Sequence, residues 1–336
     1  MRARLLLLGA TALTTPAAGC GHDKSYDDAG VPADAVRLDA STLSSPGIYV
    51  TNSSGTITVY APDASGDAAP IRTIAGASTG LSLPIGIAVD HLDNLYVANR
   101  TGGTVTVYPS DADGDVGPSR TLTATGMLSP EGLALDDGDG LYVTTCPTCG
   151  SSAGGDTGVY HFAAGAAEPD RVVVGTATGL TAPSTVTVTS AGDLVVGNSF
   201  GGAIATYAAG ADGDVAPVRA FTTTASNLQA LARGASALAI TSPGTGVDFY
   251  DLAASGTASP TGSIPTSTEL PVNYPAGVYV DTSTAPETIY LADYGASALY
   301  VITTSGTEPT LTVTGVRTIS GPSTQLSGPL GVAIAR

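Results

Sequence analysis

From Gly47 onward the apolar residues come in runs of four to seven, rich in Val, Ile, Thr and Tyr and separated by Gly, Pro, Asp and Asn. Where a run is interrupted, apolar and polar positions alternate with a period of two. This pattern predicts strands and tight turns, and the 3.6-residue period of an amphipathic helix is missing. The runs are also copies of one another. LPIGIAVDHLDNLYVANRTGGTVTVYP, from Leu83 to Pro109, is echoed by LSPEGLALDDGDGLYVTT from Leu128. The shared phrase is Pro-x-Gly, an alternating strand ending in Asp, a turn, then Leu-Tyr-Val. A second phrase recurs as GDAAPIRTI from Gly66, GDVGPSRTL from Gly114 and GDVAPVRAF from Gly213.

Aligning the Leu-Tyr-Val strand places its central residue at Tyr49, Tyr96, Tyr142, Val195, Ala239 and Tyr290, spaced 44 to 53 residues apart. That period suits a four-stranded blade, and six copies predict an all-β, six-bladed β-propeller over 47–336. The units containing Val195 and Ala239 depart most from the pattern. Pro84, Pro130, Pro183, Pro275 and Pro329 lead the first strands, with a less regular copy near Leu228. The repeat is out of phase with the chain, because it opens at Gly47 on a second strand (GIYVTN) and stops after a first strand (PLGVAIAR). The C-terminal strand is therefore expected to complete the N-terminal blade, which closes the ring and removes two open sheet edges. Blades of this kind cannot bury their faces alone and must stack. The repeat resembles that of NHL-repeat β-propellers over nearly all of 47–336, and the resemblance implies that the first strand of each unit lines a central channel.

The first 20 residues, MRARLLLLGATALTTPAAGC, change the picture of where such a domain would work. Arg2 and Arg4 precede an apolar stretch, Leu5 to Leu13, that is too short to span a bilayer and is laid out like a secretion signal. Ala17-Ala18-Gly19-Cys20 resembles the lipobox of bacterial lipoproteins, which implies removal of 1–19 and lipidation of Cys20. Two or three acyl chains make such anchoring persistent, at about 0.8 kcal/mol per buried methylene. Residues 20–46, poor in large apolar side chains and rich in Asp, Ala and Ser, read as a flexible acidic stalk. Gly21 follows the cysteine, where Asp often directs retention at the inner membrane, so an outer-membrane lipoprotein of the cell envelope is expected. The formal charge of −17, with Lys24 the one lysine, repels phosphate backbones and excludes nucleic acid as a partner. A monomer is expected.

Candidate chemistry is sparse. Cys146 and Cys149 most simply form a disulfide in an exported protein, because no helical pattern follows them to activate a thiol, and zinc would need two more ligands. The acidic turns Asp111–Asp115 and Asp212–Asp214 alternate carboxylates as a calcium loop does. However, Ser65-Gly66-Asp67 keeps the turn while losing most of the acids, which favours a hairpin role, and no cofactor is expected. Asn52, Asn99, Asn198 and Asp293 end the second strands, where they could form a ligand-binding rim or bond to the backbone of the following turn. Gluconolactonase-like propellers hold a metal in the channel with acid and amide side chains, and peptidyl-amidating lyases use histidines. The inner strands here are largely apolar or hydroxylic, with Glu131 the main acid near an entrance, expected to face solvent at the rim. His22, His91 and His161 are not placed to clasp one metal. The expected role is a noncatalytic binding or scaffold module for a protein, peptide or glycan. The alternative is a metal-dependent hydrolase or lyase working in the channel.

Overall fold

The computed structural model of the protein describes residues 47–147, 155–224 and 227–335. The expected secretion signal, Cys20 and the expected acidic stalk lie outside the described residues. Antiparallel strands follow the repeat closely. In chain order they are β1 (Gly47–Asn52), β2 (Thr56–Tyr60) and β3 (Arg72–Ile74); β4 (Pro84–Val89), β5 (Leu95–Asn99), β6 (Thr104–Tyr108) and β7 (Arg120–Leu122); and β8 (Pro130–Leu135), β9 (Leu141–Thr145), β10 (Gly158–Phe162) and β11 (Arg171–Val174). Then come β12 (Pro183–Val188), β13 (Leu194–Asn198), β14 (Ala203–Tyr207) and β15 (Arg219–Thr222); β16 (Ala230–Arg233), β17 (Ala237–Thr241), β18 (Val247–Asp251), β19 (Gly256–Thr257) and β20 (Gly262–Ile264); and finally β21 (Pro275–Asp281), β22 (Thr288–Asp293), β23 (Ala298–Ser305), β24 (Thr312–Ile319) and β25 (Pro329–Ala335).

These strands form six blades in a ring, a β-propeller. Blade 1 is β25-β1-β2-β3, blades 2, 3 and 4 begin at β4, β8 and β12, blade 5 is β16-β17-β18-β20, and blade 6 is β21 to β24. The last strand closes the ring, pairing from Gly47↔Ala335 through Thr51↔Gly331 with a bulge before Asn52↔Pro329. Blade 4 departs from four strands, since the short β19 of blade 5 adds in parallel to its edge at Phe221↔Gly256.

The core is divided into six apolar clusters, one at each interface between neighbouring blades. Tyr49 and Val59 of blade 1 pack on Leu95 and Val97 of blade 2, whereas Ile48 and Val50 face Leu299 and Val301 of blade 6. Because both faces are covered, second strands such as β5 (LYVAN) are buried at every position. An antiparallel strand that reads almost continuously apolar is thus explained by stacking on both sides.

Polar groups tie the blades further. The Gly-Asp turns do not hang free as simple hairpins: Gly66 and Gly114 bridge in parallel to Ile319 and Ile74 of the preceding blades. The following carboxylates, Asp67, Asp115 and Asp214, accept the amides of Ser323, Ser78 and Ala177 at 2.7 Å each. A Cβ on Gly76, Gly175 or Gly321 would lie within 2.4 Å of those aspartates, so the loop must carry glycine there. Arginines of the outer strands act in the opposite direction. Arg72, Arg120, Arg219 and Arg317 donate to the carbonyls of Ser110, Ala166, Leu252 and Ala64 in the next blade's turn.

Candidate functional site: the central channel

The inner strands line the channel, and side chains along each of them alternate in direction except where a bulge follows the leading proline. The residue two after the leading proline is glycine in four blades, at Gly86, Gly132, Gly277 and Gly331. A Cβ at Gly86 would lie 2.2 Å from the Glu131 carbonyl oxygen, and one at Gly277 would lie 2.4 Å from that of Leu330. The Pro-x-Gly signature is therefore a close-approach device that draws neighbouring inner strands together. In blade 1 the space is used by Thr51, whose hydroxyl donates to the Ile85 carbonyl at 2.7 Å and accepts the Gly331 amide at 2.8 Å.

The channel consists of two chambers separated by an aliphatic collar. Ile87, Leu133, Val186, Leu231, Val278 and Val332, one from each inner strand, line both chambers. The chamber on the proline side, about 360 Å³, also carries Ile85, Glu131, Ser184, Gln229, Ala276 and Leu330. These six occupy equivalent positions, yet they are chemically unlike. Arg100, Ser199, Phe200, Asn227 and Tyr274 complete its wall. Phe200 is 67% exposed and Tyr274 36%, and Tyr274 meets Tyr294 edge-on at 5.9 Å, so the mouth has an aromatic lip. The chamber beyond the collar, about 270 Å³, is walled by aliphatic groups with Thr187, Arg233 and Tyr279.

Glu131 is the principal titratable group of the mouth. Expected at a solvated rim, it is instead 5% exposed, because the inner strands converge and Arg100 closes over it. Arg100 Nε lies 2.8 Å from Glu131 Oε1, although the approach is not directed as a hydrogen bond. The Arg100 amide donates to the Leu83 carbonyl at 3.1 Å, which fixes the turn carrying the guanidinium. Burial pushes the Glu131 carboxyl up to about 7 against the opposing pull of Arg100. Desolvation wins, as it does when one partially exposed cation faces a deeply buried acid. Across the chamber, Ser199 Oγ donates to Ser184 Oγ at 2.6 Å, and Gln229 Nε2 donates to Asn227 Oδ1 at 3.0 Å.

The other sequence candidates lie elsewhere. Asn52, Asn99, Asn198 and Asp293 are at most 1% exposed and do not line the channel. Asn52 and Asn99 accept the amides of Ser327 and Ser82 at 3.0 Å, and Asn198 accepts those of Thr181 and Ala182. Asp293 accepts Asn273, Tyr274 and Ala296 amides at 2.7 to 3.1 Å. Each thus fastens the loop that enters its own blade's inner strand, with Asp293 also capping the turn that follows it. Cys146 is fully buried and disulfide-bonded, while Cys149 lies outside the described residues. His91 is paired with Asp139 at 2.8 Å on the surface; His161 is buried beside Asp170 at 2.5 Å and packs at a tilt of 54° against Tyr142, away from the channel. Among the described residues no three metal-ligating side chains come together.

Two sets of residues escaped the sequence reading. Tyr60, Tyr108, Tyr160 and Tyr207 donate to carbonyls of the loops entering their blades, those of Thr324, Thr79, Thr125 and Thr178, at 2.5 to 3.0 Å. Burial raises the phenol of Tyr60 to about 12. Their near-constant place at the end of the third strand was the available signal. The second set is Gln229 and Arg233, polar residues standing where most other inner strands carry apolar ones.

No family model matches the chain, and no curated protein does. Solved structures do resemble it. A functionally unknown protein from Desulfotomaculum acetoxidans superposes with a TM-score of 0.55 at 12% identity, covering 84% of each chain. A protein of unknown function from Bacteroides caccae gives 0.57 at 9% identity, covering 87% of this chain and all of that one. At such identities the likeness is one of fold.

Proposed function

We propose that this protein is a noncatalytic binding propeller of the NHL type, tethered to a bacterial envelope through a lipidated Cys20, with its ligand site in the proline-side mouth of the channel. One observation carries the reading. The repeat preserves chemical likeness at the collar and at the loop-fastening positions, but abandons it in the tier holding Glu131, Ser184 and Gln229. Packing alone asks for similar residues at equivalent positions, whereas a ligand asks for different ones. Hydroxyl, amide, carboxyl and guanidinium groups converging beneath the exposed Phe200 and Tyr274 suit a glycan or a short peptide, which offer hydrogen-bonding groups and a face to stack on aromatics. The lipobox-like Ala17-Ala18-Gly19-Cys20 and the acidic segment after it support the tether.

The test is saturation-transfer NMR and calorimetry of the purified protein against defined envelope oligosaccharides and short peptides, repeated with Phe200→Ala and Gln229→Ala. A ligand whose affinity falls about tenfold or more in each variant is expected. Binding indifferent to both would refute the assignment. A second reading, a hydrolase or lyase, draws on the near-neutral titration of Glu131, a poise suited to a general base. Stoichiometric calcium or zinc in the purified protein, with turnover of lactone or ester substrates lost in Glu131→Ala, would establish it in place of the first.

A further inference from the structure

The far chamber carries a separate signal. Five residues after each leading proline, or at the equivalent place on β16, the inner strands carry Val89, Leu135, Val188, Arg233, Val280 and Ile334, all but Val188 lining this chamber. Five members are branched aliphatics and one is a guanidinium. Placing a cation in such a ring costs solvation unless something answers its charge. The other described arginines are answered: those of the outer strands by carbonyls of the next blade or, for Arg171, by the Tyr142 ring and hydroxyl and by Asp170, and Arg100 by Glu131. Arg233 has no carboxylate within 4 Å among the described residues, and its one hydrogen bond, Nη1 to the Val188 carbonyl, is long at 3.4 Å. An arginine in this position on a chain of net charge −17 is not there for want of acids to pair with.

We infer that the chamber beyond the collar is a receptor for a small monocarboxylate with a hydrocarbon body. The carboxylate would take the planar donor fork of Arg233, and the hydrocarbon would lie against Val89, Leu135, Val280 and Ile334. At about 270 Å³ the space is just below the range of drug-sized ligand sites, which suits a smaller molecule. This inference is independent of the proline-side mouth, from which the aliphatic collar separates it.

Calorimetry on the whole chain with hexanoate, hexanol and inorganic phosphate tests it. Hexanoate should bind with one-to-one stoichiometry, and hexanol and phosphate each about tenfold more weakly or worse, since one lacks the charge and the other the body. Arg233→Val, which restores the aliphatic ring, should weaken hexanoate about tenfold or more while leaving the protein folded. Arg233→Gln should do the same, and decides the matter if the valine variant does not fold. Glu131→Gln should leave hexanoate binding unchanged, which separates this site from the mouth. Hexanoate binding no tighter than hexanol, phosphate binding as tight as hexanoate, or affinity unaltered in both Arg233 variants would each overturn the inference.

Discussion

Replacing Glu131 with glutamine should make the propeller more stable at neutral pH and leave it unchanged in mild acid. The carboxyl is pushed from an ordinary 4.5 to about 7 in the folded state, chiefly by burial. The native protein therefore holds this proton more tightly than the unfolded chain does. A group with a raised folded pKa contributes its full stability below the unfolded value, and that contribution is lost as pH rises through the folded one. At about 1.4 kcal/mol per pH unit, a displacement of this size removes about 3 kcal/mol between pH 4.5 and 7.5. Glutamine keeps the shape and an oxygen acceptor for Arg100 but has no proton to lose. Urea unfolding of parent and variant should give equal stability near pH 4.5 and a gap approaching 3 kcal/mol in the variant's favour at pH 7.5. The difference between the two proteins is the quantity to follow, because Glu287, pushed up to about 7 by burial and by the nearby Glu308 carboxylate, titrates in the same window. A variant equal to or weaker than the parent at pH 7.5 would mean that the Arg100 ion pair outweighs desolvation, and the account of the mouth would fall.

Three further outcomes follow from the packing. Gly277→Ala places a methyl 2.4 Å from the Leu330 carbonyl oxygen and should cost about 2 kcal/mol or more by chemical denaturation. Tyr207→Phe strips the buried Thr178 carbonyl of its 2.6 Å donor and should cost about 1 to 2 kcal/mol, with the circular dichroism spectrum unchanged. Deleting 329–336 opens β1 to solvent and removes Val332 and Ala333 from two apolar clusters, so limited proteolysis should cut blade 1 rapidly, whereas native protection in the truncated chain would contradict closure by β25.

The number of blades, the order of their strands and the seam at the termini are written in the chain itself. Period, strand alternation and turn residues are local properties, and a repeat states them six times. The reason for the repeated residues is a different matter. The glycine of Pro-x-Gly is required by a carbonyl oxygen one blade away, and Asp115 is required by an amide 37 residues earlier, distances that no local pattern encodes. Burial is likewise a property of the ring: the sequence sets Glu131 at an entrance, but only the convergence of the inner strands with Arg100 encloses it. The candidate sites sit largely where the repeat fails, on the fourth and fifth units, whose Ser184, Gln229 and Arg233 look like decay along the chain. Only when the strands are brought side by side around a common axis do those departures fall on one channel wall, because chemistry at a site depends on which groups meet in space.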